Sequence, residues 1–205
     1  RVEHGPATDY RRELDLETGV ATVSYQVGEA HFARQFLADT HQDILVVRLS
    51  ADHAFSADLW LDRAEDPDCF LLREANGGEL TLSGQFEGGI AFHVSARVVH
   101  CNGTVVARGP ELRVEGATEV VVFIDVGTSA TGGAPARERE QRELGKCTFN
   151  IWSELIACHL ATYRPRFRAA ELSLDVPEPD LPTDEQVAAL RRGNPDPGLI
   201  ALYFA

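Results

Sequence analysis

From Arg12 to about Thr128, apolar and polar positions alternate with a period of two. Ala21, Val23, Tyr25 and Val27 share one face, and Thr22, Ser24 and Gln26 share the other. Ile90, Phe92, Val94, Ala96 and Val98 form an unbroken apolar face, with His93, Ser95 and Arg97 opposite. Successive side chains leave opposite sides of a pleat, so this pattern predicts half-buried antiparallel strands. Asp43–Ser50 and Glu119–Val126 are more continuously apolar, as strands covered on both sides would be. Turn residues punctuate the pattern. Asn102-Gly103 predicts a tight hairpin, because Asn-Gly tolerates positive φ. Gly28-Glu29 and Gly88-Gly89 predict two more, and Gly19 releases the chain into the next strand. About ten short strands at this spacing predict a β-sandwich. No repeated corner pattern points to a closed barrel.

After Thr148 the period changes. Phe149, Trp152, Ile156, Leu160 and Tyr163 recur at three- and four-residue steps, the stripe of an amphipathic helix. That stripe is expected to face the sandwich or a further domain, and Pro165 to end or kink the helix. Thr128–Ala136 reads as a hinge, and the charged run from Pro135 to Leu144 as a solvated helix or an irregular segment. Ala169–Val176 predicts one more strand before a Pro-rich connector, Val176–Pro182. Thr183 and Gln186 have capping-box spacing, which predicts a short helix ending at Gly193. Pro197 opens another, apolar at Leu199, Ile200, Leu202, Tyr203 and Phe204. Nothing in the pattern buries those side chains, so the chain is expected to continue into a larger helical domain. Two units follow: a β-sandwich domain over residues 1–130, and a helical linker with one strand and the start of a helical domain over 131–205.

Composition narrows the functions. The 205 residues carry a formal net charge of −13, which disfavours nucleic-acid binding. A 44% hydrophobic content supplies a core, and no apolar run reaches bilayer-spanning length, so a soluble protein without a membrane role is expected. The compartment, cytoplasmic or secreted, stays open. Cys69, Cys101, Cys147 and Cys158 are widely spaced without a C-x-x-C pair, so a zinc site is not expected; buried free thiols are the first reading and a disulfide the alternative.

Candidate chemistry is sparse. Phosphate-loop, dinucleotide, zincin and nucleophile-elbow motifs do not occur. Seven histidines, His4, His31, His41, His53, His93, His100 and His159, are scattered; His31 and His93 fall on polar strand faces, and His159 is expected to make a structural hydrogen bond. Asp62, Glu65, Asp66 and Asp68 are the best internal candidates for a cation, but Asp-Pro-Asp after a strand is a turn. Trp60 has the chemistry to stack on a sugar, though burial against a second layer or domain is the expectation. Asn102-Gly103-Thr104 is an N-glycosylation sequon, read here as turn chemistry. No acidic pair is singled out by spacing, so no catalytic residue, metal or cofactor is assigned, and ligand-binding residues stay unassigned.

Taken in order, the segments resemble glycoside hydrolase family 95, the α-L-fucosidases. The carriers are Tyr10, Arg12, Leu14, Asp15 and Leu16; Tyr25; Phe32, Arg34 and Phe36; and Val47, Arg48 and Leu49. Gly88–Val99, Glu111–Ser129 and His159–Val176 are similar to later strands and the linker, and Leu181–Phe204 to the run into the barrel. The family's opening strands are absent, and Gly132–Lys146 departs from its usual linker, as do Cys147 and Cys158. The resemblance implies a mainly β, supersandwich-like domain, then linker helices leading toward an (α/α)6 barrel that is not in this chain. For the parent enzyme it implies inverting hydrolysis of terminal α-L-fucosyl or α-L-galactosyl groups, with a fucosylated glycan met through the barrel. The family's catalytic residues lie in that barrel, so none carries over and this chain alone is expected to be inactive. A carbohydrate-binding module and a structural scaffold are the other readings, and exposed strand edges predict self-association.

Overall fold

The computed structural model describes residues 1–39, 43–131, 151–170, 172, 174, 181–194 and 197–204. Among the described residues nine strands form one antiparallel sheet. They are β1 (Thr8–Asp15), β2 (Val20–Val27), β3 (Ala30–Asp39), β4 (Ile44–Leu59), β5 (Cys69–Asn76), β6 (Glu79–Phe86), β7 (Ala91–Cys101), β8 (Thr104–Arg108) and β9 (Glu111–Thr128). The order is β1-β2-β3-β4-β9-β7-β6-β5, with β8 also on β9. Among the described residues a short 3-10 turn (Ser129–Thr131) and three α-helices follow: α1 (Ile151–Phe167), α2 (Thr183–Arg191) and α3 (Pro197–Phe204).

Two strands are longer than their pattern suggested. β4 runs 16 residues and β9 runs 18, and both are bent. Leu45–Ser50 pairs with Glu119–Ile124; after a bulge, Phe55–Leu59 pairs with Leu112–Ala117. Gly116, at φ 67°, marks the corner in β9. The sheet therefore folds over itself. The halves of β4 and β9 beyond the bend, with β8, form a second layer facing the first, which gives the sandwich-like arrangement. Between the layers lie Tyr25, Phe32, Leu80, Ala96, Val120 and Val122 from one side and Phe55, Ala57, Leu112 and Val114 from the other. Tyr25 and Phe32 stack at 5.2 Å, and Phe55 meets Phe32 edge-on at 6.1 Å. The opposite face of the first layer is covered by α1: Ile151 and Leu155 pack on Val20, Leu37, Val46, Val121 and Phe123. This explains the continuous apolar runs, since alternate residues of β4 and β9 enter two different cores.

The Asn102-Gly103 expectation is corrected. β7 and β8 do not pair with each other; both run along β9, β7 before the corner and β8 after it. The true reversal is Gly109-Pro110, with Arg108 paired to Glu111. Asn102 is present for its side chain: Oδ1 accepts from the Thr118 and Glu119 amides at 2.9 and 3.0 Å, and Nδ2 donates to Thr118 Oγ1 at 2.7 Å. Gly103 is present because a Cβ there would stand 2.4 Å from Glu115 O and 2.7 Å from Ala117 N. Gly28-Glu29 does close a two-residue hairpin, Val27 pairing with Ala30. Gly77-Gly78 closes another that the alternation left unmarked. Ile90 precedes β7 and is exposed, so the apolar face starts at Phe92.

Several helical expectations shift. The buried row of α1 is Ile151, Leu155 and His159; Trp152 and Ile156 flank it, so the stripe is rotated by one residue. Pro165 lies inside the last turn, and the helix continues to Phe167, because proline removes only its own N–H and Arg168 N still reaches Arg164 O. Leu172 and Leu174 lie in no strand. The capping box does not form: Pro182 takes the cap position without a side-chain bond, and Gln186 Nε2 donates to Leu181 O at 2.6 Å. Among the described cysteines none is buried. Cys69 and Cys101 are half-buried at strand ends and Cys158 is on the outer face of α1, all as free thiols. Cys147, Phe149 and the run from Pro135 to Leu144 lie outside the described residues.

The second layer is tied at its edge by Arg113, which donates to Glu3 at 2.8 Å and to Asp58 at 3.1 Å. The hydrogen bond and charge of Arg113 hold the Glu3 carboxyl below its ordinary pKa. A carboxyl lowered in the folded state stabilises above its unfolded titration and loses that contribution as pH falls through the folded value. Amide-exchange protection at Glu3, bonded to Ser56 O at 3.1 Å, is therefore expected to persist at neutral pH and to fade below the ordinary glutamate range. Protection that does not change between pH 7 and pH 3, read by exchange NMR at about those two values, contradicts this. At the corner, Gly103→Ala is expected to cost ~2–4 kcal/mol and Asn102→Ala ~1–2 kcal/mol in urea titration, in that order. Equal or negligible losses would show that the corner is not strained by the close approach.

Candidate functional site: the joint between sheet and helix

The most specific polar construction in the chain is where α1 meets the β1–β2 turn. Asp15 builds the turn: its Oδ1 accepts from the Glu17 and Thr18 amides at 2.9 and 3.3 Å. Asp15 O accepts from Gly19 N at 2.7 Å, and Gly19 has φ 63°. With the amides turned inward, the carbonyls of Leu16, Glu17 and Thr18 are left to the helix. Tyr163 Oη donates to Leu16 O at 2.7 Å. His159 Nε2 lies 3.0 Å from Thr18 O, and because a carbonyl only accepts, that nitrogen carries the proton. Arg164 Nε reaches Glu17 O at 3.5 Å, and Arg168 forks onto the Glu17 carboxylate at 2.7 and 3.1 Å.

Helical spacing makes this possible. His159, Tyr163 and Phe167 fall at four-residue steps and stack in a ladder, 5.0 and 5.8 Å between centroids. His159 is 1% exposed. Gly19 lets the ladder close: a Cβ there would lie 3.1 Å from the Tyr163 ring and 3.4 Å from His159 Nε2. At the other end of α1, Arg48 lies 5.6 Å from the Trp152 ring and is held by Glu119 at 3.1 and 3.3 Å and by Gln35 at 2.7 Å. The helix is thus fixed at both ends, by a cation–π contact at its start and by four side chains clasping one turn at its finish.

The other candidates fall elsewhere. His159 has the structural hydrogen bond expected of it. His93 Nδ1 bonds Ser83 Oγ at 2.8 Å across β6 and β7, and His53 bonds the Asp52 carboxylate at 2.7 Å. His31 gives its amide, not its ring, to Asp52, and these bonds hold Asp52 below its ordinary pKa, that of His53 foremost. His4 bonds Tyr25 Oη at 3.1 Å. His41 lies outside the described residues. The acidic cluster is occupied by arginines: Arg73 donates to Asp62, and Arg63 to Asp66 at 3.3 Å. Asp66 Oδ1 also accepts from the Asp68 amide at 3.2 Å, the turn expected of Asp-Pro-Asp. Among the described residues no three His, Cys, Asp or Glu side chains are placed to hold a metal ion, and no helix is long and apolar enough to cross a membrane. Trp60 is 46% exposed just after β4, which corrects the expectation that a second sheet layer buries it. Sequence reasoning missed the roles of Glu17, Arg164 and Arg168, since their partners are about 147 residues away and carry no periodicity.

Tyr163→Phe removes one bond to a part-buried carbonyl and is expected to cost about 1 kcal/mol. Gly19→Ala adds strain at positive φ and displaces the ladder, so a larger loss, ~2 kcal/mol, is expected. Both are expected to speed tryptic cleavage at Arg166 and Arg168 relative to sites in the sheet. Unchanged cleavage in both variants would show that the clasp does not hold the helix.

Comparison with known proteins places this architecture. Alpha-L-fucosidase 2 of Arabidopsis thaliana is 26% identical over 234 aligned residues, covering 95% of this chain and 28% of that protein. Among solved structures, a putative kojibiose phosphorylase from the human microbiome superposes with a TM-score of 0.50 at 13% identity, over 77% of this chain and 25% of its own. The chain thus spans about a quarter of the length of each. The phosphorylase shares the fold of this β-domain, with little sequence in common. Residues 2–133 match the family described as glycosyl hydrolase family 65, N-terminal domain, and the chain belongs to that family of glycoside hydrolase N-terminal β-domains.

Proposed function

We propose that this chain is the non-catalytic β-domain and linker of a glycoside hydrolase of the family 95, α-L-fucosidase kind. The parent reaction would be inverting hydrolysis of terminal α-L-fucosyl or α-L-galactosyl groups. The observation that carries the reading is that similarity to a named α-L-fucosidase runs through 95% of the chain, so through the linker as well as the sandwich. The joint supplies the physical role. Inverting hydrolysis needs two carboxyl groups about 6.5–9.5 Å apart with a water between base and sugar. A helical domain can hold that spacing only if its entry helix is fixed, because displacements of about 1 Å cost orders of magnitude in rate. The sandwich fixes α1 through the clasped turn and Arg48. Four carboxylates of the sheet and its edge are held by arginines: Glu119 by Arg48, Glu115 by Arg108, Asp58 and Glu3 by Arg113.

A second reading, a sugar-binding surface, is favoured by exposed aromatic side chains, among them Trp60, Phe70 and Tyr10. The purified 205 residues are expected to show no turnover of an aryl α-L-fucoside, and amide NMR to show no saturable shift with fucosylated oligosaccharide. Turnover abolished by a single carboxylate substitution would overturn the non-catalytic reading. Saturable shifts around Trp60 would favour the binding surface. The intact parent protein is expected to release fucose as the inverted anomer; phosphate-dependent release of a sugar phosphate instead would move it to the phosphorylases.

A further inference from the structure

The chain has 32 acidic residues against 19 basic ones, and the arginines in the sheet and its connections are correspondingly well matched. Arg11, Arg48, Arg63, Arg73, Arg97, Arg108 and Arg113 each face a carboxylate. Among the described residues Arg12 and Arg34 do not, and the register brings these two together. Arg12 pairs with Val23 on one side and Arg34 pairs with Val23 on the other. Directly paired residues share a face, so the two cations flank Val23 on the face that carries Tyr25 and Phe32. Two strand spacings separate them, about 10 Å between backbones, within reach of one bridging group for side chains of arginine length.

The environment of Arg34 is unusual for a cation. Its other cross-strand partner is Leu49, and its guanidinium lies 5.2 Å from the Tyr25 ring. One donor is used, Nη2 to Tyr25 Oη at 2.9 Å. Nε is fully buried and has no hydrogen-bond partner among the described residues. The phenol cannot help further: it accepts from Arg34 and donates to His4 Nε2, while His4 Nδ1 is 2.8 Å from Gly5 O and donates there. This relay holds Arg34 with its remaining donors uncommitted. The Arg1 ammonium adds a further positive charge near Arg34, with Asp58 and Glu111 near that ammonium in the facing layer. A half-buried guanidinium among cations, with no carboxylate bonded to it among the described residues, is best stabilised by a bidentate oxyanion.

We propose that Arg12 and Arg34 form an oxyanion-binding site on the inner-facing surface of the sheet, with Tyr25 and His4 positioning Arg34. The ligand class is a carboxylate or phosphate group, free or carried on a sugar. The site does not depend on which glycoside the protein acts on, so its failure leaves that reading untouched.

The test is NMR of arginine Nε–H groups in the 205-residue chain, titrated with inorganic phosphate, acetate and glucuronate at constant ionic strength up to ~50 mM. The Arg34 Nε–H is expected to shift saturably while that of Arg11, on the other face, does not. Arg34→Gln is expected to abolish the saturable response at Tyr25, and Arg12→Gln to weaken binding about tenfold. Arg12 is exposed, so its variant keeps the test valid if Arg34→Gln fails to fold. Binding of phosphate and acetate identifies a site for free oxyanions; binding of glucuronate alone identifies an acidic sugar. No saturable shift with any of the three overturns the proposal. So does a response that Arg12→Gln leaves unchanged, which would mean an adventitious ion only.

Discussion

The bend shared by β4 and β9 is the constraint on which the rest of the structure depends. Val120, Val121, Val122 and Phe123 are buried in succession, two facing the space between layers and two facing α1. A strand apolar on both sides is stable only if both sides are covered. The fold covers one by turning the same strands over at Gly116 and the β4 bulge, and the other by laying a helix across it. Asn102 and Gly103 stand where the third strand of that bend must follow. One carries backbone bonds across the corner, and the other removes the Cβ that would block it.

The helix is not held by apolar contact alone. Burial of Ile151 and Leu155 places α1 on the sheet but does not fix its rotation or its position along its axis, since hydrophobic attraction has no direction. Hydrogen bonds do. Tyr163, His159 and Arg164 address three consecutive carbonyls, which only one register of the helix satisfies. On the proposed reading, the β-domain would serve its parent enzyme by setting the position and direction from which a helical part proceeds. Membership in a family of glycoside hydrolase N-terminal domains fits that role.

The period-two face of β2 and the hairpin at Gly28-Glu29 could be read from the residues because their causes are local: pleat alternation and positive φ. The long strands could not be, because a bulge leaves no compositional mark and each half of β4 looks like a short strand. Asn102-Gly103 shows the same limit from the other side. The pair has hairpin chemistry, yet its function is fixed by Glu115 and Ala117, residues that sequence order does not bring near. His159 was legible as a structural histidine, but its partner turn was not, because nothing local connects Thr18 to a helix about 141 residues later. The contact row of α1 lies one residue from the expected stripe: Ile151 and Leu155 fill the contact, while Trp152 and Ile156 cover its edge.

The central claim is that sheet and helix form one cooperative body. Native-state hydrogen exchange across increasing denaturant tests it directly, because it separates local from global opening. Amides of α1 between Leu155 and Tyr163 are expected to exchange through the same opening as those of Val120 to Phe123, with one free energy and one denaturant dependence. Exchange of the α1 amides through a separate, denaturant-independent opening, while the β9 amides remain protected, would contradict the account.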